Sequence, residues 1–353
     1  MKTLRSIFIF LLGIITIFTL RPSVTSLFIS NKFDSLEFRL DLADPSEVNI
    51  TANSLDALAS DTRPRNLNLA MVGDSVTRFQ YISLIYFLST GYWIDDRERP
   101  DLLKPRMRSS WNDWLNYSNT LFSPHEQCDC FRFDNYRSIE NRYFQDNRNN
   151  SVIMIVKFGS ARVHGFYTWE RVNRREVRML QITNRSQQFP PHAWDYNWTD
   201  LIQQHIAKLA PKPEFLVFNA GIHRHNLGSP MVQQEIQTAL RQHSIIGIFK
   251  TTSFPKAVRT FQKHPVDEAL CGGVFPNCVN LDWTFNVSDS HYIDKHHFDS
   301  PVNTLMNQQL LEYIGGLQKG AYGSVSYLTK TPVLSPVISV REQYGMFSNS
   351  TTA

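Results

Sequence analysis

"MVGDSVTRFQYISLIYFL", residues 71–88, sets Gly-Asp-Ser between an apolar strand-like run and an apolar helix-like run. Leu67 to Val72 reads as a buried strand and Val76 to Leu88 as a helix. The helix carries Val76, Phe79, Ile82, Leu84, Ile85, Phe87 and Leu88 on nearly every side, so it belongs against a sheet. Ser75 sits on the turn between the two. It suits either the N-cap of that helix or a reactive hydroxyl whose backbone N–H lies at the helix's positive end. The stretch alone accommodates both roles.

Further along, strands and helices alternate. "SVIMIVKF" (residues 151–158) and "EFLVFN" (214–219) read as strands, as does Ile245 to Thr251, with Val279 to Phe285 as a last candidate. Helices are expected over Asp200 to Leu209 and Met231 to His243. A final helix follows, with Ser300 as its cap, Pro301 first, and Gly315 and Gly316 as its end. This alternation predicts an α/β protein, a three-layer α/β/α sandwich around a parallel sheet. Residues 91–150, rich in Trp, Asn, Arg and Cys, read as an irregular insertion in a folded region spanning 66–316.

The totals narrow the class. A hydrophobic fraction of 42% with 19% charged residues describes a globular chain. The net charge of +4 is dispersed, which argues against nucleic acid as a partner. Lys2 and Arg5 precede an uncharged run from Ile7 to Leu20. That run is either a signal-peptide core or a short transmembrane signal anchor with residues 1–6 in the cytosol. Both alternatives send the rest of the chain into the secretory lumen, first as a polar stem over 21–65. Residues 317–353 read as a loose tail.

Two features agree with that compartment. Asn-x-Ser/Thr acceptors occur at Asn49, Asn116, Asn149, Asn184, Asn197, Asn286 and Asn349. Cys128, Cys130, Cys271 and Cys278 form an even set, suited to two disulfides. Cys271 with Cys278 closes a plausible loop. Cys128 and Cys130 are close for a mutual bridge, so cross-pairing of the two clusters stays open. A metal site built from all four is the other alternative.

In a sheet of this kind, ligands bind beyond the carboxyl ends of the strands. Three stretches fall there. Gly-Asp-Ser, residues 73–75, follows the first strand. "FNAGIH", residues 218–223, leaves another with Asn219 and His223 at the same edge. "DSHYIDKHHFDS", residues 289–300, places Asp294 and His297 three apart, so the carboxylate can orient the imidazole for a hydroxyl brought from elsewhere. The competing readings are a strand-ending turn for Asn219 and a polar loop before the last helix for Asp294 and His297. His223, His225, His291 and His296 also allow a metal-dependent hydrolase, although no HExxH spacing is present. No metal is assigned. The Gly-x-Ser-x-Gly elbow of α/β-hydrolases is absent.

These three blocks in this order resemble the GDSL/SGNH hydrolase superfamily. "GDSVTRFQYISL", with Arg78 and Gln80, is similar to the PC-esterase group within it. That group includes trichome-birefringence-like polysaccharide O-acetyltransferases and the luminal domains of sialic-acid O-acetyltransferases. The resemblance covers about residues 66–316. It implies a flavodoxin-like SGNH fold and O-acetyl transfer or ester hydrolysis on glycans through an acyl-serine. It assigns Ser75 as nucleophile, His297 as base and Asp294 as its orienting acid. Oxyanion donors would be the Ser75 amide, Asn219 and a glycine from "KFGSARVHGF". There Gly165, further into the loop, is preferred to Gly159.

The resemblance implies no resident cofactor, although a transferase needs an acyl donor such as acetyl-CoA. It also favours an uncleaved single-pass Golgi anchor. Arg78 either binds an anionic substrate group or pairs with Asp74 or a loop carboxylate, and His223 is a second substrate-side candidate. Trp111, Trp114, Tyr117, Phe122 and Phe131 either stack on sugar rings or form a satellite core, and Tyr167, Trp169, Trp194 and Trp198 pose the same choice. The chain departs from the plant-type pattern with Phe298 after the His, with Lys295 and His296 inside the last motif, and in its cysteine framework. These departures bear on the substrate rather than on the reaction class. A glycan-binding protein on an inactive SGNH scaffold is the non-enzymatic alternative.

Overall fold

The computed structural model describes residues 63–319, apart from 98, 100–101, 105–107, 133–137, 181–190, 220, 224–225 and 257–264. The expectations placed on the 7–20 segment, on most of the stem, on the tail, on Asn49, Asn184 and Asn349, and on His225 lie outside those residues. Among the described residues no helix is long and apolar enough to cross a membrane.

The protein is α/β with a mostly parallel central sheet. Strand β1 (Asn68–Gly73) leads through Asp74 into helix α1 (Ser75–Thr90). Helix α2 (Trp111–Leu121), β2 (Glu126–Arg132) and β3 (Ser138–Gln145) follow, then β4 (Ser151–Val156). A ribbon of β5 (Val163–Gly165) and β6 (Trp194–Tyr196) precedes a helical stretch ending in a π turn, Leu201–His205, and a 3-10 turn, Ile206–Lys208. The chain closes with β7 (Phe215–Phe218), α3 (Pro230–Gln242), β8 (Ile246–Lys250), β9 (Cys278–Val279) and α4 (Ser300–Gln318).

The seven-stranded order is β2-β3-β4-β1-β7-β8-β9. Strands β4, β1, β7, β8 and β9 run parallel, and β2 and β3 extend one edge antiparallel. Alternate residues of β1 feed two cores. Leu69 and Met71 join α1, α2 and α4 on one face, while Ala70 and Val72 join α3, the ribbon and the 201–206 turns on the other. The connection after β1 therefore leaves on one face and those after β4 and β7 on the opposite face. That divergence opens a crevice at the carboxyl end of β1.

Several sequence expectations change here. The 91–150 region is not irregular: it supplies α2 and the antiparallel pair β2–β3. Charged residues are interleaved with its buried apolar ones, so the strands do not announce themselves as apolar runs. Arg142 bonds Glu126 at 2.9 Å and Glu140 at 3.0 Å, and Arg78 of α1 bonds Glu140 at 2.6 Å. Tyr81 donates to Glu126 at 2.8 Å, and Arg142 donates to Ser118 of α2 at 2.8 Å. All these side chains are buried. Burial pushes the Glu140 carboxyl up, but Arg78 and Arg142 overcome it and hold it below the usual carboxylate range.

The last expected strand shortens to Cys278–Val279, followed by a 3-10 turn over Asp282–Asn286. Helix α4 is capped by Asp299 rather than Ser300, and it runs through Gly315 and Gly316. Burial of Tyr313 and Ile314 against α1's core holds the helix together past those glycines. Both disulfides are local. Cys271 bonds Cys278, and Cys128 bonds Cys130. The close spacing thus permits a mutual bridge and removes cross-pairing. Residues i and i+2 share a strand face, and β2 contracts to bring these α-carbons within 5.0 Å, where an ideal strand spaces them about 6.6 Å apart.

Of the aromatic residues in 91–150, Trp114, Phe122 and Phe131 are core residues. Trp194 and Trp198 are likewise buried, while Trp111, Tyr117, Tyr167 and Trp169 are half-buried.

The four-charge cluster yields a stability test. Arg142→Leu leaves the buried Glu126 without a cation and Glu140 with Arg78 alone, and is expected to cost about 3–5 kcal/mol. Urea unfolding of the variant measures this, and adding Glu126→Gln recovers part of the loss. A change under about 1 kcal/mol would mean that the cluster does not hold the antiparallel edge.

Candidate active site

The strand-to-helix turn separates the two roles weighed for Ser75. The N-cap is Asp74, whose Oδ1 accepts from the Val76 N–H at 3.0 Å. Ser75 is the first residue of α1, and its hydroxyl is left for another partner. Asp74 Oδ2 also accepts from the Ile222 N–H at 3.4 Å, which draws the loop after β7 against the helix start. Gly221 lies in the left-handed region, φ +67°, and a Cβ there would come within 2.4 Å of Asp74 Oδ2. Only glycine fits on both counts.

His297 Nε2 lies 2.6 Å from Ser75 Oγ. The imidazole belongs to a tight turn closed by the Ile293 N–H on the His297 carbonyl at 2.8 Å and flanked by the Tyr292–Phe298 bridge. Asp294 sits inside this turn. Its Oδ1 accepts from the N–H groups of His296 at 2.9 Å and His297 at 3.0 Å, and its Oδ2 lies 2.8 Å from His297 Nδ1. A carboxylate accepts only, so Nδ1 carries the proton and Nε2 presents its lone pair to the serine. Phe79 of α1 braces the ring edge-on at 4.9 Å, and Phe298 is buried in the core beneath.

The electrostatics suit a base. Burial lowers the His297 pKa below its ordinary 6.5; Asp294 opposes the shift and nearby Arg78 adds to it. Burial pushes Asp294 up, but the His296 N–H and the bonded His297 outweigh it and hold the carboxyl below its usual value. At neutral pH the pair is a neutral imidazole beside a carboxylate.

Asn219, buried at the end of β7, joins this edge. Its Oδ1 accepts from the Thr77 hydroxyl at 3.5 Å. Both groups crowd Gly73, where a Cβ would lie 2.2 Å from Thr77 Oγ1 and 2.3 Å from Asn219 Oδ1. Of the two candidate glycines, Gly159 is the one beside the turn. It follows Lys157, whose N–H donates to the Gly73 carbonyl at 2.7 Å, and it adopts φ +58°. Gly165 instead pairs with Trp194 in the β5–β6 ribbon, and a Cβ on it would strike the indole at 2.1 Å. Packing against Trp194 accounts for a glycine at position 165, and the positive φ accounts for one at 159.

Arg78 is 1% exposed and committed to Glu140, a carboxylate on β3 rather than Asp74 or a loop acid. It underlies the site as a buried charge and does not face a substrate. His223 is exposed and meets Phe158 edge-on at 5.2 Å. His291 pairs with Asp299 at 2.7 Å. Among the described residues, no group of three or more His, Cys, Asp or Glu side chains is placed to hold a metal ion. Asn116, Asn197 and Asn286 are exposed, and Asn149 donates to Asn66 at 2.8 Å.

A cavity of about 100 Å³, lined by Glu140, Asn141, Val156, Phe158 and His164, opens at the carboxyl end of β4, where the amino end of the antiparallel β3 lies beside it. A larger one of about 540 Å³ lies at the opposite edge of the sheet, beside Arg63, Asn66, Arg148 and Asn149, away from the Ser75–His297–Asp294 chain.

Sequence reasoning passed over Thr77 and Lys250, and took Asp74 as a partner for Arg78 rather than as the cap of α1. For Asp74 the signal was present, since Asp two residues before a helical N–H is a capping pattern. For Lys250 the sign was a lone cation closing an apolar strand, "IGIFK".

No family model, curated protein or solved structure matches this chain.

A base of this kind has a pH signature. Ester turnover is expected to rise with pH through one midpoint below 6.5, where His297 loses its proton, and to stay flat at neutrality. Asp294→Asn, which favours the wrong tautomer, is expected to lower kcat by about four orders of magnitude. A pH–rate midpoint above 6.5 would contradict His297 as the base.

Proposed function

We propose that the protein is a serine-dependent O-acyltransferase or ester hydrolase acting on glycans, with O-acetyl as the transferred group. The observation that carries this reading is the hydrogen-bonded chain Ser75–His297–Asp294 at the carboxyl end of β1. The motif order supports an SGNH-type, flavodoxin-like fold, and the PC-esterase resemblance supports the glycan acceptor.

His297 Nε2 takes the Ser75 hydroxyl proton as Oγ bonds to the acyl carbon. The oxyanion is met by the Ser75 N–H, the Gly159 N–H and Asn219 Nδ2. The intermediate collapses by breaking its bond to the leaving oxygen, which takes the proton from His297. Water or a sugar hydroxyl then gives its proton to His297 as its oxygen bonds to the acyl carbon; the acyl–Oγ bond breaks, and His297 returns the proton to Ser75 Oγ. Losing one oxyanion donor typically costs about 10²–10³-fold in kcat. In this reading the domain faces a secretory lumen, tethered by the 7–20 segment. The two disulfides support that compartment.

Turnover of p-nitrophenyl acetate by the purified protein, with and without a sugar acceptor, tests the proposal. Activity is expected to vanish in Ser75→Ala, and a fluorophosphonate probe is expected to label wild type alone. Acetylated sugar would mark a transferase, and free acetate an esterase. Equal labelling of wild type and Ser75→Ala would overturn the nucleophile assignment.

A further inference from the structure

Lys250 ends β8 and is 1% exposed, on the same face of the strand as Ile248, which packs toward α1. Its ammonium has three donors and no acceptor. Nζ donates to Thr77 Oγ1 at 3.0 Å and to Gln80 Oε1 at 2.8 Å, both on α1. A buried ammonium with neutral bonding partners is costly to maintain. Burial pulls its pKa down to about 8, against the opposing pull of Asp74, so it remains a cation at neutral pH.

That charge sets the direction of the hydrogen bonds from Thr77 to Asn219. With one Thr77 lone pair taken by Lys250, the Thr77 hydrogen points on to Asn219 Oδ1. An Asn219 turned end for end would set its NH₂ beside a cation-bound hydroxyl, which the ammonium's field disfavours. The amide oxygen is thereby pinned to α1, and Nδ2 is left on the branch directed away from Thr77.

We propose that Lys250 is a positioning residue that, through Thr77, orients the Asn219 amide as an oxyanion donor. This role rests on the acyl-serine reading of the site. Lys250 itself touches no reacting atom. Its effect belongs to kcat rather than KM, because an oxyanion donor acts in the transition state.

The experiment is a double-mutant cycle on p-nitrophenyl acetate, with thermal unfolding as the folding control. Lys250→Met and Thr77→Val are each expected to lower kcat about tenfold or more while KM stays within about twofold. Thr77→Ser, which keeps the hydroxyl, is expected to recover most of the rate lost in Thr77→Val. In an Asn219→Ala background, Lys250→Met is expected to cost less than about twofold, since the two act as one unit. Full additivity of Lys250→Met on Asn219→Ala would overturn the proposal, as would wild-type kcat in Thr77→Val.

Should Lys250→Met fail to fold, the Thr77 pair carries the same comparison. Should Ser75→Ala retain full turnover, the acyl-serine reading fails separately. The relay is then read from the Asn219 side-chain amide resonance of ¹⁵N-Asn-labelled protein. A shift in Thr77→Val, largely reversed in Thr77→Ser, supports the relay, and an unmoved resonance overturns it.

Discussion

The carboxylate of Asp74 is the constraint on which the site is built. One oxygen satisfies the Val76 N–H in the first turn of α1, and the other reaches across to the loop after β7. A serine in the capping position would spend its hydroxyl on the backbone. With the aspartate there instead, the next residue keeps its hydroxyl and still stands at the positive end of the helix. The same carboxylate accounts for Gly221, while Gly73 answers to Thr77 and Asn219 packed over it. Two strand ends are thus drawn together by one residue with a buried side chain.

Around this point the molecule places charge where apolar packing would be simpler. Arg78, Glu140, Arg142 and Glu126 form a closed set of alternating sign that fastens β2 and β3 to α1 and α2. The set is fully desolvated, so each member depends on the others, and losing one costs far more than losing a surface pair. It also places a fixed cation below His297, which helps to keep the imidazole neutral. The antiparallel edge and the His297 imidazole are therefore electrostatically linked.

Much of this could be read in the residues beforehand, for stated physical reasons. Helix α1, the parallel strands and the Asp294–His297 spacing follow from apolar runs and side-chain periodicity. The strands β2 and β3 did not, because "EQCDCFR" and "SIENRYFQ" turn polar groups inward and their partners lie far away in sequence. The continuation of α4 through Gly315 and Gly316 went against local propensity, which packing of Tyr313 and Ile314 overrode. The crowding of Gly165 by Trp194 was likewise hidden, because nothing in the local sequence announces that neighbour.

The Ser75–His297–Asp294 chain is made of two unequal parts. The imidazole and its carboxylate come from one short turn, closing a loop of three residues, whereas the hydroxyl lies 222 residues away in the chain. The docking of α4 on α1, where Asn307 donates to the Gln80 carbonyl, and of Ser300 on Asp96 in the loop after α1 helps to bring them together. During synthesis Ser75 emerges long before His297, so it spends that interval as an ordinary alcohol. The chain thereby acquires a form of timing: an unfinished or partly opened molecule carries Ser75 without its imidazole partner, and the hydrogen bond forms as the last described helix settles into place.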